Sequence, residues 1–174
     1  MAAQADAMRV PAALTPRLAR RLALLVLDVD GVLTDGSLWF GARGEALKRF
    51  HVRDGHGIKL LQSAGLQVAV ISGRRSAAVG ARARELGIRL VFQGVADKNQ
   101  VLEKLLRKLG ITDTQVVCVG DDTPDIPLFI RAGFAVAVRD AHPLACAAAH
   151  CCTELGGGQG AVREVCDWLL AARR

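Results

Sequence analysis

Leu22-Ala23-Leu24-Leu25-Val26-Leu27-Asp28-Val29-Asp30-Gly31-Val32-Leu33-Thr34 decides the fold. The first six residues are apolar without interruption, which is the pattern of a strand buried on both faces of a parallel sheet. Two carboxylates one residue apart then close the run. Neither is tolerable inside a dry strand, because an unpaired buried carboxylate costs several kcal/mol or is forced to neutralise. Just beyond the carboxyl end of the strand, both can face a crevice and share a cation, and open α/β sheets bind their ligands there.

Outward from this stretch the chain alternates strand and helix. Residues 36–50 read as a hairpin that turns at Gly41-Ala42-Arg43-Gly44 and carries Trp39, Phe40 and Phe50. A helix is predicted over 55–64 and a core strand over 67–71, which closes on Ser72-Gly73-Arg74. Helix 76–86, strand 88–92, helix 97–109 and strand 115–119 follow, and the last ends at Gly120-Asp121-Asp122. Short strands at 135–138 and near 150–153 flank a small helix at 143–148. A final helix covers 161–172, after the glycine run 156–160. This rhythm specifies a Rossmann-like open parallel sheet with helices on both faces and right-handed crossovers. Residues 22–174 are expected to form one domain. Residues 1–21 are read as a loosely ordered extension, because Pro11 and Pro16 oppose one continuous helix.

Composition narrows the function classes. Aromatic residues are only 4% of the chain and tyrosine is absent, so base stacking has little to work with. The net charge of +6 suits anionic small molecules, but the basic residues are scattered and give no nucleic-acid footprint. Five cysteines show no metal-ligand spacing, and Cys118 inside an apolar run reads as a core residue. The odd cysteine count and an N-terminal stretch without an apolar leader region point to the cytoplasm, and no segment is apolar enough to span a membrane.

Three further clusters share the placement of the first, at strand ends or helix starts. Ser72 with Gly73 offers a hydroxyl and free backbone N–H groups to an anion. Lys98 opens a helix, where a cation opposes the helix dipole; a bound phosphoryl group would explain it. Asp121, Asp122 and Asp125 supply hard oxygen donors that, with Asp28 and Asp30, suit Mg2+. Singly, each cluster also reads as a turn, a helix cap or a surface lysine. Four of them in this order, each at a strand end, favour a shared site.

These four motifs resemble those of the haloacid dehalogenase-like phosphohydrolase superfamily. Longer strings, Asp28 to Gly36, Phe50 to Gly55, Gly57 to Leu61, Ile71 to Arg74 and Gly160 to Val165, are similar to its 3-deoxy-D-manno-octulosonate (KDO) 8-phosphate phosphatase branch. The resemblance spans about 22–171. It implies Mg2+-dependent hydrolysis of a sugar-acid phosphate in lipopolysaccharide precursor synthesis. Asp28 would be the nucleophile, Asp30 the acid and base, and Asp28, Asp30 (by its backbone carbonyl) and Asp121 the metal ligands. Ser72, Gly73, Lys98 and Thr34 would line the substrate, with Arg53, Arg74 or Arg163 reading its carboxylate. His51 and His56 are more readily structural or surface residues. No gap between motifs holds a cap domain, and the resemblance implies a homotetramer whose hairpins assemble and whose neighbours close each site. The aromatics of the hairpin then face either their own domain or another subunit. Residues 156–160 are either a plain loop or a mobile flap, and Gln159 stands where relatives commonly carry a basic residue. A nonulosonate 9-phosphate phosphatase and a non-catalytic oligomerising module are the rival readings.

Overall fold

The computed structural model describes residues 10–42 and 44–174. Its strands are β1 (Leu24–Leu27), β2 (Trp39–Gly41), β3 (Gly44–Leu47), β4 (Gln67–Ser72), β5 (Leu90–Gln93), β6 (Val116–Gly120), β7 (Phe134–Ala137) and β8 (Cys151–Cys152). Its helices are α1 (Pro16–Arg21), α2 (Val52–Ser63), α3 (Ala77–Glu85), α4 (Lys98–Leu109), α5 (Ile126–Arg131), α6 (Pro143–Ala148) and α7 (Ala161–Arg173). Six strands form one parallel sheet in the order β5-β4-β1-β6-β7-β8, and β2 and β3 form a separate antiparallel hairpin.

β1 occupies the interior of the sheet because it is apolar on both faces. Leu25 pairs with Val68 of β4 on one side and Val117 of β6 on the other. Leu25 and Leu27 enter the core beneath α1, α2, α3 and α7, while Leu24 and Val26 enter the core beneath α4, α5 and α6. Each is almost fully buried, which is worth roughly 1.5–3 kcal/mol per side chain. The chain leaves β1 for β4 on one side and reaches β6 on the other, so the carboxyl end of β1 lies where the strand order reverses.

α4 is built to present its first residue. Asp97 caps it, accepting from the backbone N–H groups of Asn99 (2.9 Å) and Gln100 (3.3 Å), and Gly110 at φ +67° ends it. Leu102, Leu105 and Leu106 face the sheet, which fixes the rotation of the helix and turns Lys98 inward.

The structure departs from the sequence reading in four places. Within the supposed loose extension, Leu14 and Ala19 are buried and α1 packs on α7. Pro16 stands at the first turn, where its missing N–H costs nothing, and Thr15 caps the helix. Arg173 Nη1 donates to the carbonyls of Ala19 (3.2 Å) and Leu22 (2.8 Å), satisfying groups at the end of α1. Residues 1–9, the rest of that extension, lie outside the described residues. Second, α2 begins at Val52, three residues before the expected start, and takes in Gly55 and Gly57, which are buried in close contacts with α3 and α7. Third, α5 is an additional helix; the aspartates before it masked its short apolar run. Fourth, Phe50 is half-buried against the core, so only Trp39 and Phe40 of the three aromatics remain exposed. Cys118 lies in the core of β6 as read. Among the described residues no helix is long and apolar enough to cross a membrane.

Candidate active site

Asp28 follows β1 directly, and its N–H donates to the Val119 carbonyl (3.1 Å), continuing the ladder with β6. The chain then turns through Gly31 at φ +86°. A Cβ there would lie 2.1 Å from an Asp121 carboxylate oxygen, so only glycine lets the β6 end approach. The Val29 carbonyl closes the turn by accepting from the N–H groups of Val32 (3.2 Å) and Thr34 (3.0 Å).

The sequence separation between the motifs vanishes in space. Lys98 Nζ donates to Asp28 Oδ1 (2.8 Å) and Asp125 Oδ1 (2.6 Å), with all three side chains at most 10% exposed. The other Asp125 oxygen accepts from the backbone N–H groups of Asp121 (3.1 Å) and Asp122 (3.4 Å). Carboxylate oxygens of Asp28, Asp121 and Asp125 all lie within 4.8 Å of one another. Burial pushes Asp121 up to about 7, helped by the negative charges of Asp28, Asp125 and Asp122. Burial likewise pushes Asp28 up to about 6 against the opposing pull of Lys98. Burial also works against the Lys98 charge, but Asp28 and Asp125 outweigh it and hold the ammonium above the ordinary lysine range. Crowded carboxylates of this kind are stabilised by a divalent cation, and an all-oxygen set suits Mg2+. Because Asp125 uses both oxygens on Lys98 and the two amides, Asp28 and Asp121 are the carboxylates placed to hold one.

A cavity of about 340 Å3 opens over this cluster, lined by Asp28, Asp30, Ser72, Arg74, Lys98 and Asp121 among others. Ser72 ends β4, adjacent to β1, and is 3% exposed, with its Oγ accepting from the Arg74 N–H (3.3 Å). The Asp30 carboxyl group is turned away from the acidic cluster. Its Oδ1 accepts from Lys48, and its Oδ2 lies 3.8 Å from Arg74 Nε. An ordered hydroxyl, a fixed ammonium and several carboxylates at the carboxyl ends of neighbouring strands are the groups that phosphoryl transfer uses.

A family model described as haloacid dehalogenase-like hydrolase matches residues 90–162. The chain is 47% identical to the 3-deoxy-D-manno-octulosonate 8-phosphate phosphatase of Escherichia coli K12 over 89% of its own length and 82% of that protein. The chain belongs to the KDO 8-phosphate phosphatase family. Among solved structures, the Yersinia pestis phosphatase superposes with a TM-score of 0.89 at 45% identity, covering 92% of this chain and 86% of that one. The Moraxella catarrhalis phosphatase, in complex with magnesium ion, phosphate ion and KDO, gives 0.88 at 40% identity with 91% of both chains covered. The chain is thus a phosphoric monoester hydrolase of the haloacid dehalogenase-like type, and the parallel sheet with helices on both faces is the fold it shares with these relatives.

As a KDO 8-phosphate phosphatase, the chain brings Asp28, Asp30, Ser72, Gly73, Arg74, Lys98 and Asp121 to one cavity and leaves three candidates outside it. Thr34 is 1% exposed; its hydroxyl donates to the Val29 carbonyl (3.3 Å) and accepts from the Gly36 N–H (3.3 Å), so it shapes the turn instead of lining the substrate. Arg53 and Arg163 line a separate cavity of about 580 Å3 with Glu154, Gln159 and Trp168. Arg163 Nε is held by Asp167 (2.8 Å), and its N–H donates to Asp54 (2.8 Å), a buried carboxylate that ties α2 to the start of α7. His56 is exposed, and His51 is half-buried beside Gly160. The glycine run is a packed wall, with Gly157 and Gly158 buried against the turn that carries Asp28 and Gly156 buried against Asp140, and does not have the form of a flap. Lys48 and Glu45 escaped the sequence reading. A lysine four residues from a hairpin turn carries no pattern, and only the tertiary fold sets it beside Asp30.

Proposed function

We propose that this chain hydrolyses 3-deoxy-D-manno-octulosonate 8-phosphate to KDO and inorganic phosphate through an aspartyl-phosphate on Asp28, with Mg2+ as cofactor. The observation that carries this reading is the convergence of Asp28, Lys98, Asp121 and Asp125 at the carboxyl end of β1, with Asp30 at the mouth of the same cavity. An Asp28 oxygen forms the new bond to phosphorus as the ester oxygen departs. Asp30 donates a proton to that oxygen and next takes one from the water that attacks the aspartyl-phosphate, releasing phosphate and restoring Asp28. Ser72 and Lys98 hold the phosphoryl oxygens through both transfers, and Asp125 fixes the ammonium in place. Asp28, Asp121 and the Asp30 backbone carbonyl would hold Mg2+, whose positive charge would offset the repulsion between carboxylate and phosphate. Arg74, 44% exposed at the rim, is placed to meet the sugar carboxylate.

Among the described residues no domain covers the cavity, and the hairpin exposes Trp39 and Phe40. Both features support a homotetramer whose neighbouring subunits close each site, which would bring in arginines such as Arg53 from a second copy. The resemblance to KDO 8-phosphate phosphatases supports work in the cytoplasm, in lipopolysaccharide precursor synthesis.

Phosphate release from a panel of eight- and nine-carbon sugar-acid phosphates, with and without Mg2+, tests the reading. KDO 8-phosphate is expected to give the highest kcat/KM, and Asp28→Asn to lose at least about a thousandfold. Preference for a nine-carbon ester would replace the substrate, and no release from any ester by folded, Mg2+-loaded protein would replace the reaction.

A further inference from the structure

Behind Asp30 stands a charged network that the phosphoryl site does not require. Lys48 follows β3, and its side chain is only 1% exposed. An ammonium is seldom buried without compensation, and here it meets two carboxylates: Asp30 Oδ1, and Glu45 Oε2 at 3.2 Å. Arg74 closes the ring, with Nη2 3.3 Å from Glu45 Oε2 and Nε 3.8 Å from Asp30 Oδ2. Hydrogen bonds from Ser76, then Lys48 and Arg74, hold the Glu45 carboxyl below its ordinary range. Neither Lys48 nor Glu45 is among the residues that line the catalytic cavity; Lys48 reaches Asp30, and Glu45 reaches Lys48 and Arg74.

We propose that Lys48 is a positioning residue for the acid–base carboxylate of Asp30, and that Glu45 holds Lys48 in place. The proposal rests on the role given to Asp30 above. Asp30 is 20% exposed at the mouth of the cavity, where a short side chain has rotamers to choose from. Of its two cationic contacts, Arg74 is 44% exposed at the rim, whereas Lys48 is enclosed and held by Glu45. The buried contact is the fixed one. Pinning Oδ1 leaves Oδ2 to face the ester oxygen that must be protonated. A general acid contributes roughly 10²–10⁴-fold to rate, and a displacement of about 1 Å can forfeit 10²-fold. Lys48 and Glu45 both come from the hairpin and its continuation, so the acid–base group takes its position from an element that also carries exposed Trp39, Phe40 and Leu47.

The test separates positioning of a proton donor from general loss of structure. Lys48→Met and Lys48→Arg are compared with the wild type, with Mg2+ present, on KDO 8-phosphate and on activated phosphates (the aryl ester p-nitrophenyl phosphate or the anhydride acetyl phosphate). The sugar alkoxide needs a proton to leave; the phenolate and the acetate do not. The kcat/KM of Lys48→Met is expected to fall at least about tenfold on the sugar ester and at most about threefold on the activated ones. Lys48→Arg is expected to recover most of the loss. Equal falls on both substrate types, or no fall on the sugar ester, would overturn the role for Lys48. If the wild type itself releases no phosphate from the sugar ester, the proposed function fails first and this proposal with it.

Discussion

Gly157 is 126 residues from Gly31 in sequence and touches it in the fold. A Cβ on Gly157 would lie 1.7 Å from the Gly31 carbonyl oxygen and 2.9 Å from that of Thr34. The neighbouring Gly158 N–H donates to the Val32 carbonyl (3.0 Å), and Asp140 accepts from the Gly157 N–H (2.9 Å). The turn that carries Asp28 and Asp30 therefore rests on bare backbone, and a methyl group there must push the turn or the wall aside. Gly157→Ala is expected to cut kcat at least about tenfold with a lowered Tm, since small displacements of reacting groups are expensive in rate. Gly65→Ala is the control: a Cβ there meets nothing within 4 Å, so it costs only the strain of φ +88°, about 1 kcal/mol, with kcat kept. Equal kcat in the two variants would show that the wall does not set the turn. In the sequence, the run 156–160 reads equally as a loop or a flap, because glycine marks both freedom and close approach and only the contact separates them.

The hairpin β2–β3 is the element that the single chain does not explain. It pairs with no strand of the main sheet, and Trp39, Phe40 and Leu47 are 59%, 65% and 65% exposed. A two-stranded ribbon is marginal in water, and neighbouring exposed aromatics mark a surface meant to be covered. Trp39→Ser with Phe40→Ser is expected to convert the assembly to smaller species in sedimentation while far-ultraviolet dichroism stays native. An unchanged assembly would exclude this face as the contact. Much of the element order was legible from apolar runs and glycine stops; the helix at 143–148, for example, is reproduced as α6. The four acidic, hydroxyl and basic clusters were legible too, because strand ends advertise themselves in sequence. Elements whose signal is contextual were not. α1 depends on Arg173 and on burial of Ala19, α5 is six residues long, and Thr34 and Lys48 take their roles from neighbours that local pattern does not place.

For the molecule as a whole, a chain of net charge +6 keeps its acidic cluster at the carboxyl ends of β1 and β6, and that cluster couples stability to pH and to metal. In metal-free protein, Asp28 and Asp121 bind protons more tightly when folded, at about 6 and about 7, than at the ordinary 3.8 of an unfolded chain. Their contribution is fully present below about pH 4 and is lost as pH rises through 6 to 7, once both groups ionise against each other. Mg2+ binds the ionised pair and competes with those protons. The rise in Tm on adding Mg2+ to chelator-treated protein should therefore be small at pH 5 and large at pH 8. At a concentration about a hundred times Kd, binding adds about 2.7 kcal/mol, which is several degrees in a domain of this size. Asp121→Asn is expected to abolish most of the difference while leaving the metal-free protein more stable at pH 8, since it removes one of the repelling charges. A Mg2+ shift as large at pH 5 as at pH 8 would mean that the ion binds elsewhere than between these carboxylates.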